Sequence, residues 1–188
     1  MRLIMMGPPG AGKGTQADIV CAQLGIPHIS TGDIFRSNVS EGTPLGVEAQ
    51  RYMDAGEYVP DGVTNAMVRD RLNDVDCANG FLLDGYPRTV AQVDELDSML
   101  TTDSAIDGVI ELTVDIDEVV QRLVRRAADQ GRADDTEEVI RRRLVVYIEQ
   151  TAPLIALYAT RGLLSQVSGM GSVDEVTGRI VAALPDRG

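Results

Sequence analysis

The chain has 188 residues, 17 of them basic and 29 acidic, for a net charge of −12. A body this acidic lacks the basic face that a nucleic-acid binder needs, and no apolar run approaches the ~18 residues of a membrane span. The length suits one compact domain, and the only cysteines, Cys21 and Cys77, belong to no CxxC pattern, so they read as buried free thiols and not as a disulfide framework or zinc site.

From the N-terminus onward, short apolar runs alternate with helix-length amphipathic stretches. "MRLIMMGPPG" is too short an apolar stretch for a signal peptide, so a soluble cytoplasmic protein is expected. Strands are expected at 2–6, 28–30, 81–84, 108–114 and 163–167. Helices are expected near 13–24, 33–40, 44–55, 62–74, 89–100, 117–128, 137–160 and 173–184. Asp115 ahead of "IDEVV", and Asp135 or Thr136 ahead of "EEVI", suit helix N-caps. Strands separated by helices imply a parallel sheet covered on both faces, an α/β fold of three layers, α/β/α. Two places break the alternation. Residues 30–60 hold two helices and no strand, so this piece should project from the core. Residues 127–136, "AADQGRADDT", are small and polar and read as a loop or short flap. Around that flap the charge changes sign: residues 122–143 carry seven arginines against five acids, while the rest of the chain is at −14. A solvated helix face explains this arginine cluster, and so does a local site for small anions.

"LIMMGPPGAGKGT" is an apolar strand, a glycine-rich turn and a helix start, the context a phosphate-binding loop requires. Its glycines let backbone N–H groups turn inward around an anion, and the helix adds its positive end. Lys13 is the chain's one lysine among sixteen arginines. A compact ammonium on a flexible stem can follow a phosphate, whereas arginine's planar fork prefers fixed bidentate partners. In "GFLLDGYPR", Asp84 closes an apolar run, where an aspartate beside such a loop can hold magnesium through its water shell. The single histidine, His28, falls in a strand outside these motifs and reads as structural.

With these stretches in hand, the chain resembles the adenylate kinase family. "GPPGAGKGTQ", "STGDIFR", "AGEYVPD", "GFLLDGYPRT", "GRADD" and "RRRLVVYIEQTAPLI" follow the family's order and span most of the sequence. The resemblance implies a P-loop fold with a central five-stranded parallel sheet. It implies a single kinase domain over 1–188, with a nucleoside-monophosphate-binding piece at 30–59 and a short lid at 126–136. It also implies reversible transfer between ATP plus AMP and two ADP, with Mg2+.

By position, the resemblance makes Gly10, Ala11, Gly12, Lys13, Gly14 and Thr15 the cradle for the ATP phosphates, with Gly171 offering a carbonyl to the ATP adenine. Thr31 and Arg36 match AMP ligands. Glu57, Tyr58 and Val59 match backbone contacts to the AMP adenine, and Gln92 matches a reader of its base edge. Gly85, Tyr86, Pro87 and Arg88 match the AMP side, with Arg88 gripping the phosphate. Arg126 and Arg132 match lid arginines and Arg122 and Arg143 core ones, so that Lys13, Arg88 and these four would surround the transferring group. Arg126 would serve the ATP side, and Arg132 and Arg143 the AMP side. Asp134 and Asp135 match acids that help the lid close. The sequence departs from the family at Arg125, where a glycine is frequent, and at Tyr58, where an aliphatic is usual. The short lid lacks the four-cysteine insert, so no zinc is expected. The implied partners are ATP, AMP and ADP, with no nucleic acid or membrane, and the implied state is a monomer.

Both substrates are anions and the acceptor phosphate is already ionised, so alignment and charge neutralisation would carry catalysis without a strong base. The alternatives are a UMP/CMP-type kinase, disfavoured because "STGD" and "DGYPR" stand where "SAGD" and "DGFPR" are usual, and a non-catalytic nucleotide sensor. A guanine-reading NKxD is absent from the sequence.

Overall fold

A computed structural model describes residues 1–101, 104–115, 119, 123 and 136–185. Strand β1 (Arg2–Met6) sends Leu3 and Met5 to one face and Ile4 and Met6 to the other, and all four are buried. A strand apolar on both faces has to be covered on both. β3 (Phe81–Asp84) and β4 (Gly108–Thr113) flank it, and β2 (His28–Ser30) and β5 (Leu164–Ser168) complete an all-parallel sheet ordered β2-β3-β1-β4-β5. All five expected strands form; β4 ends one residue early and β5 is shifted by one residue towards the C-terminus.

The helices are α1 (Lys13–Leu24), α2 (Thr31–Glu41), α3 (Pro44–Ala55), α4 (Asp61–Leu72), α5 (Val90–Met99), α6 (Glu137–Val146), α7 (Pro153–Thr160) and α8 (Val173–Ala182). On one face, Ala17 and Val20 of α1 and Val176 and Ile180 of α8 pack on Leu3, Met5, Leu82, Ile110 and Leu112. On the other, Val68 of α4, Val93 and Leu96 of α5, and Leu154 and Tyr158 of α7 pack on Ile4, Met6, Leu83 and Val109. Each fully buried large aliphatic stabilises the fold by roughly 1.5–3 kcal/mol, so the two layers hold β1 and β3 rigid where their C-terminal ends meet the site.

α2 and α3 stand apart from this core. They pack on each other around a small cluster of their own, Phe35, Ala49 and Val59. α2 begins two residues before the expected 33, because the Ser30 hydroxyl accepts the Asp33 N–H at 3.2 Å and caps it. Thr136, rather than Asp135, caps α6 by accepting from Val139 N–H at 3.3 Å.

The helix expected over 137–160 does not run through regularly. Between α6 and α7, residues 147–151 open into a π-type turn, in which Ala152 N–H donates to Tyr147 C=O at 2.9 Å. Pro153, with no N–H to give, interrupts the regular ladder there. Most of the helix expected at 117–128 and the flap at 127–136 lies outside the described residues.

Candidate active site

The C-terminal ends of β1, β2 and β3 open into a cleft of about 440 Å³, where parallel α/β sheets bind ligands. One wall is the loop from Gly7 to Gly12, which turns directly into α1 at Lys13. Gly10 has φ +84°, and a Cβ there would lie 2.8 Å from Leu123 Cγ, so the loop can make this turn only with glycine. The Lys13 ammonium folds over the loop and donates to the carbonyls of Gly7 (2.8 Å) and Pro8 (2.9 Å). Ammonium, loop N–H groups and the N-terminus of α1 together form a cationic end suited to a polyphosphate.

Asp84 is the last residue of β3 and sits across from this loop. Burial opposes its charge, but the neighbouring His28, Lys13 and Arg88 outweigh that and hold the carboxyl below its usual range. It therefore stays an anion between cations. Among the described residues no three His, Cys, Asp or Glu side chains cluster as a metal cage. A single ionised carboxylate beside a phosphate cradle nonetheless fits Mg2+, which keeps most of its waters and takes the rest of its ligands from phosphate oxygens.

His28, set aside above as structural, lies in this wall. Its Nδ1 is 2.7 Å from Asp18 Oδ1 and its Nε2 is 3.6 Å from Asp84 Oδ2, a charge contact longer than a hydrogen bond. Burial lowers the imidazole's proton affinity, yet the two aspartates raise it by more, leaving it above the usual range.

The opposite wall begins at Gly85 (φ +81°), where a Cβ would come within 2.7 Å of Thr31 Oγ1 and 2.8 Å of Arg88 Nη2. Without one, the Gly85 carbonyl accepts from Thr31 Oγ1 at 3.0 Å and from Arg88 Nε at 2.7 Å. The Arg88 N–H donates to Gln92 Oε1 at 2.7 Å, and Gln92 Nε2 donates to Asp61 Oδ1 at 2.7 Å. Asp61 also accepts from Thr89 Oγ1, the cap of α5, at 2.9 Å. The arm formed by α2 and α3 reaches α6 across the cleft: Glu57 Oε1 accepts from Arg142 Nε at 2.6 Å, and Arg143 Nη2 donates to Met53 C=O at 3.4 Å.

A family model described as adenylate kinase matches residues 5–163. The chain belongs to the adenylate kinase family. An adenylate kinase from Nocardioides sp. is 66% identical over 98% of this chain and 97% of its own length. One from Kocuria rhizophila is 61% identical over 97% and 98%, and one from Thermobifida fusca is 57% identical over the whole of both chains.

Of the residues that the family resemblance singles out, most line this one cleft. They include Gly10, Gly12, Lys13, Gly14 and Thr15 on one side and Thr31, Arg36, Gly85, Pro87, Arg88 and Gln92 on the other, with Asp84 between. Glu57, Tyr58 and Val59 reach it from the arm and Arg143 from α6. Ala11 is buried beneath the loop, and Tyr86 is 1% exposed, its hydroxyl donating to Asn65 Oδ1 at 2.9 Å and its ring in the core. Gly171 lies in the turn between β5 and α8, with φ +106°, and is not among the residues lining the cleft. Arg122, Arg126, Arg132, Asp134 and Asp135 fall outside the described residues. The sequence pattern left His28 as structural and did not single out Asp61, Arg142 or Thr151. Asp61 and Thr151 sit inside the quoted motifs, but their partners lie dozens of residues away and no local pattern marks them.

Proposed function

We propose that this cleft carries out the family's reaction, reversible transfer of the γ-phosphoryl group of ATP to AMP to give two ADP. The observation that carries the reading is the convergence, on one cleft, of a lysine-bearing phosphate loop and a guanidinium, Arg88, with an ionised aspartate between them. ATP would lie with its phosphates over Gly10, Ala11, Gly12, Lys13, Gly14 and Thr15. AMP would lie against Thr31, Arg36 and the stretch from Gly85 to Arg88, with its base toward Glu57, Tyr58, Val59 and Gln92. In the transfer, an AMP phosphate oxygen bonds to the γ-phosphorus as the bond from that phosphorus to the β–γ bridging oxygen breaks. ADP leaves with the electron pair. The attacking oxygen is already an anion, so no proton has to be removed first.

What the chain supplies is alignment and neutralisation. Lys13 moves from its loop carbonyls onto the β- and γ-phosphates, Arg88 holds the acceptor phosphate, and Arg143 sits beside both. Arg122, Arg126 and Arg132 are assigned to the same ring by family position, with Asp134 and Asp135 helping a lid at 126–136 to close over it and residues 30–59 closing from the AMP side. Gly171 is assigned to the ATP adenine on the same basis. Mg2+ accompanying ATP would be held by Asp84 through water and would supply charge neutralisation at the phosphates. Each contact that strengthens in the transition state contributes about 3 kcal/mol, near a hundredfold in rate. Assembling them only when both nucleotides are bound excludes water as a competing acceptor.

A monomer acting in the cytoplasm fits this reading. Among the described residues no helix is long and apolar enough to cross a membrane. The test is a coupled ADP-formation assay with AMP, GMP, CMP and UMP as acceptors. AMP should exceed the others by at least about tenfold. Equal or better turnover with UMP or CMP would make the chain a pyrimidine-nucleotide kinase, and ATP binding without ADP formation would make it a sensor.

A further inference from the structure

Tyr58 is one of the two places where the sequence departs from its family pattern, and as a backbone contact it would have no use for its side chain. The structure gives the side chain two uses. The Arg88 guanidinium lies over its ring, with Cζ 4.7 Å from the centroid. Its hydroxyl is 2.7 Å from Thr151 Oγ1, and Thr151 Oγ1 donates to the Arg88 carbonyl at 3.0 Å. A threonine hydroxyl has one proton to give. With that proton spent on Arg88 C=O, the short contact must run from Tyr58 O–H to Thr151 Oγ1. The order is therefore Tyr58 to Thr151 to Arg88, and it bridges the arm, the π-type turn and the loop after β3.

We propose that Tyr58 is a positioning residue that holds Arg88 ready for the phosphate of AMP. Arg88 is a long side chain whose rotamer freedom works against a defined grip. Here its Nε is committed to Gly85 C=O, its main-chain N–H to Gln92 and its C=O to Thr151. Among the described residues its two terminal nitrogens have no hydrogen-bond partner, while the Tyr58 ring covers one face of the plane. Cation–π contact restrains the fork without consuming a donor, so the Nη pair stays available for two phosphate oxygens. An aliphatic side chain at 58 could fill the space but could neither attract the cation nor reach Thr151. The same pair of contacts ties the arm to the far side of the cleft, next to the Glu57–Arg142 ion pair.

This inference rests on the AMP-side reading, and the test separates the two. AMP and adenosine binding would be measured by titration for the parent chain, Tyr58→Phe, Tyr58→Leu, Arg88→Ala and Tyr58→Leu/Arg88→Ala, together with kcat and KM for AMP. Tyr58→Leu should weaken AMP binding about tenfold and leave adenosine, which has no phosphate, within about twofold. Its KM for AMP should rise more than its kcat falls. Tyr58→Phe keeps the ring and loses the hydroxyl, so it should recover most of the AMP affinity. In the Arg88→Ala background, Tyr58→Leu should have little further effect on AMP. Equal weakening of AMP and adenosine, additive effects in the double variant, or unchanged AMP affinity in Tyr58→Leu would each overturn the proposal. Failure of the parent chain to use AMP at all would instead overturn the AMP-side reading beneath it.

Discussion

The two sides of the cleft are built differently. The side proposed for ATP is made mainly of backbone: a glycine turn between β1 and α1, the N-terminus of α1, and one lysine that donates to Gly7 and Pro8, six and five residues away. The side proposed for AMP also draws on side chains from distant parts of the chain. Arg88 is fixed through Gln92, Asp61, Thr151 and Tyr58, with Tyr58 and Thr151 93 positions apart. A site made from local backbone is set once the strand and helix around it form. A site made from long-range side-chain contacts is set only when the arm, the π-type turn and α5 are all in place, so it should give way in smaller, separable steps.

Three predictions sharpen that contrast. The largest effect should come from Lys13→Met, which removes the ammonium from the side proposed for ATP. Turnover should fall by roughly a hundred- to a thousandfold with little loss of stability, read from kcat and a thermal melt. Gly85→Ala should act next. The new Cβ would collide with Thr31 Oγ1 and Arg88 Nη2 at a φ of +81°, displacing the two side chains proposed to grip AMP. KM for AMP should rise roughly ten- to a hundredfold while KM for ATP stays nearly constant. A comparable change in both would mean that the two sides are not separable. The smallest effect concerns the core behind the phosphate loop. Burial first, and the charge of Asp18 second, push the Cys21 thiol of α1 from 9.0 up to about 12. The unfolded chain would lose this proton near 9 and the folded chain only near 12, so the thiol's stabilising contribution is complete below pH 9 and is lost as pH climbs from 9 towards 12. Urea midpoints for the parent and Cys21→Ala, compared at pH 8 and pH 10, should show a shallower decline for the variant.

The contrast also explains what could be read from the sequence. The five strands, the phosphate loop and the helix pair after β2 are visible because short apolar runs, glycine spacing and helix-length amphipathic stretches are local signals. The motifs around Arg88 mark the side proposed for AMP, but not how Arg88 is held. Nothing near Thr151 points to Arg88, nothing near Glu57 points to Arg142, and His28 shows no sign of its approach to Asp84 until β2 and β3 pair. The π-type turn was equally hidden, because Pro153 near the start of an apolar run reads as easily as an N-terminal proline as it does as an interruption.

The most direct measurement follows the fate of the γ-phosphoryl group, by phosphorus NMR of the parent chain with ATP and Mg2+, with and without AMP. Two ADP should form for each AMP consumed, with almost no inorganic phosphate and negligible ATP loss when AMP is left out. Steady release of inorganic phosphate from ATP, at a rate indifferent to AMP, would contradict transfer to AMP.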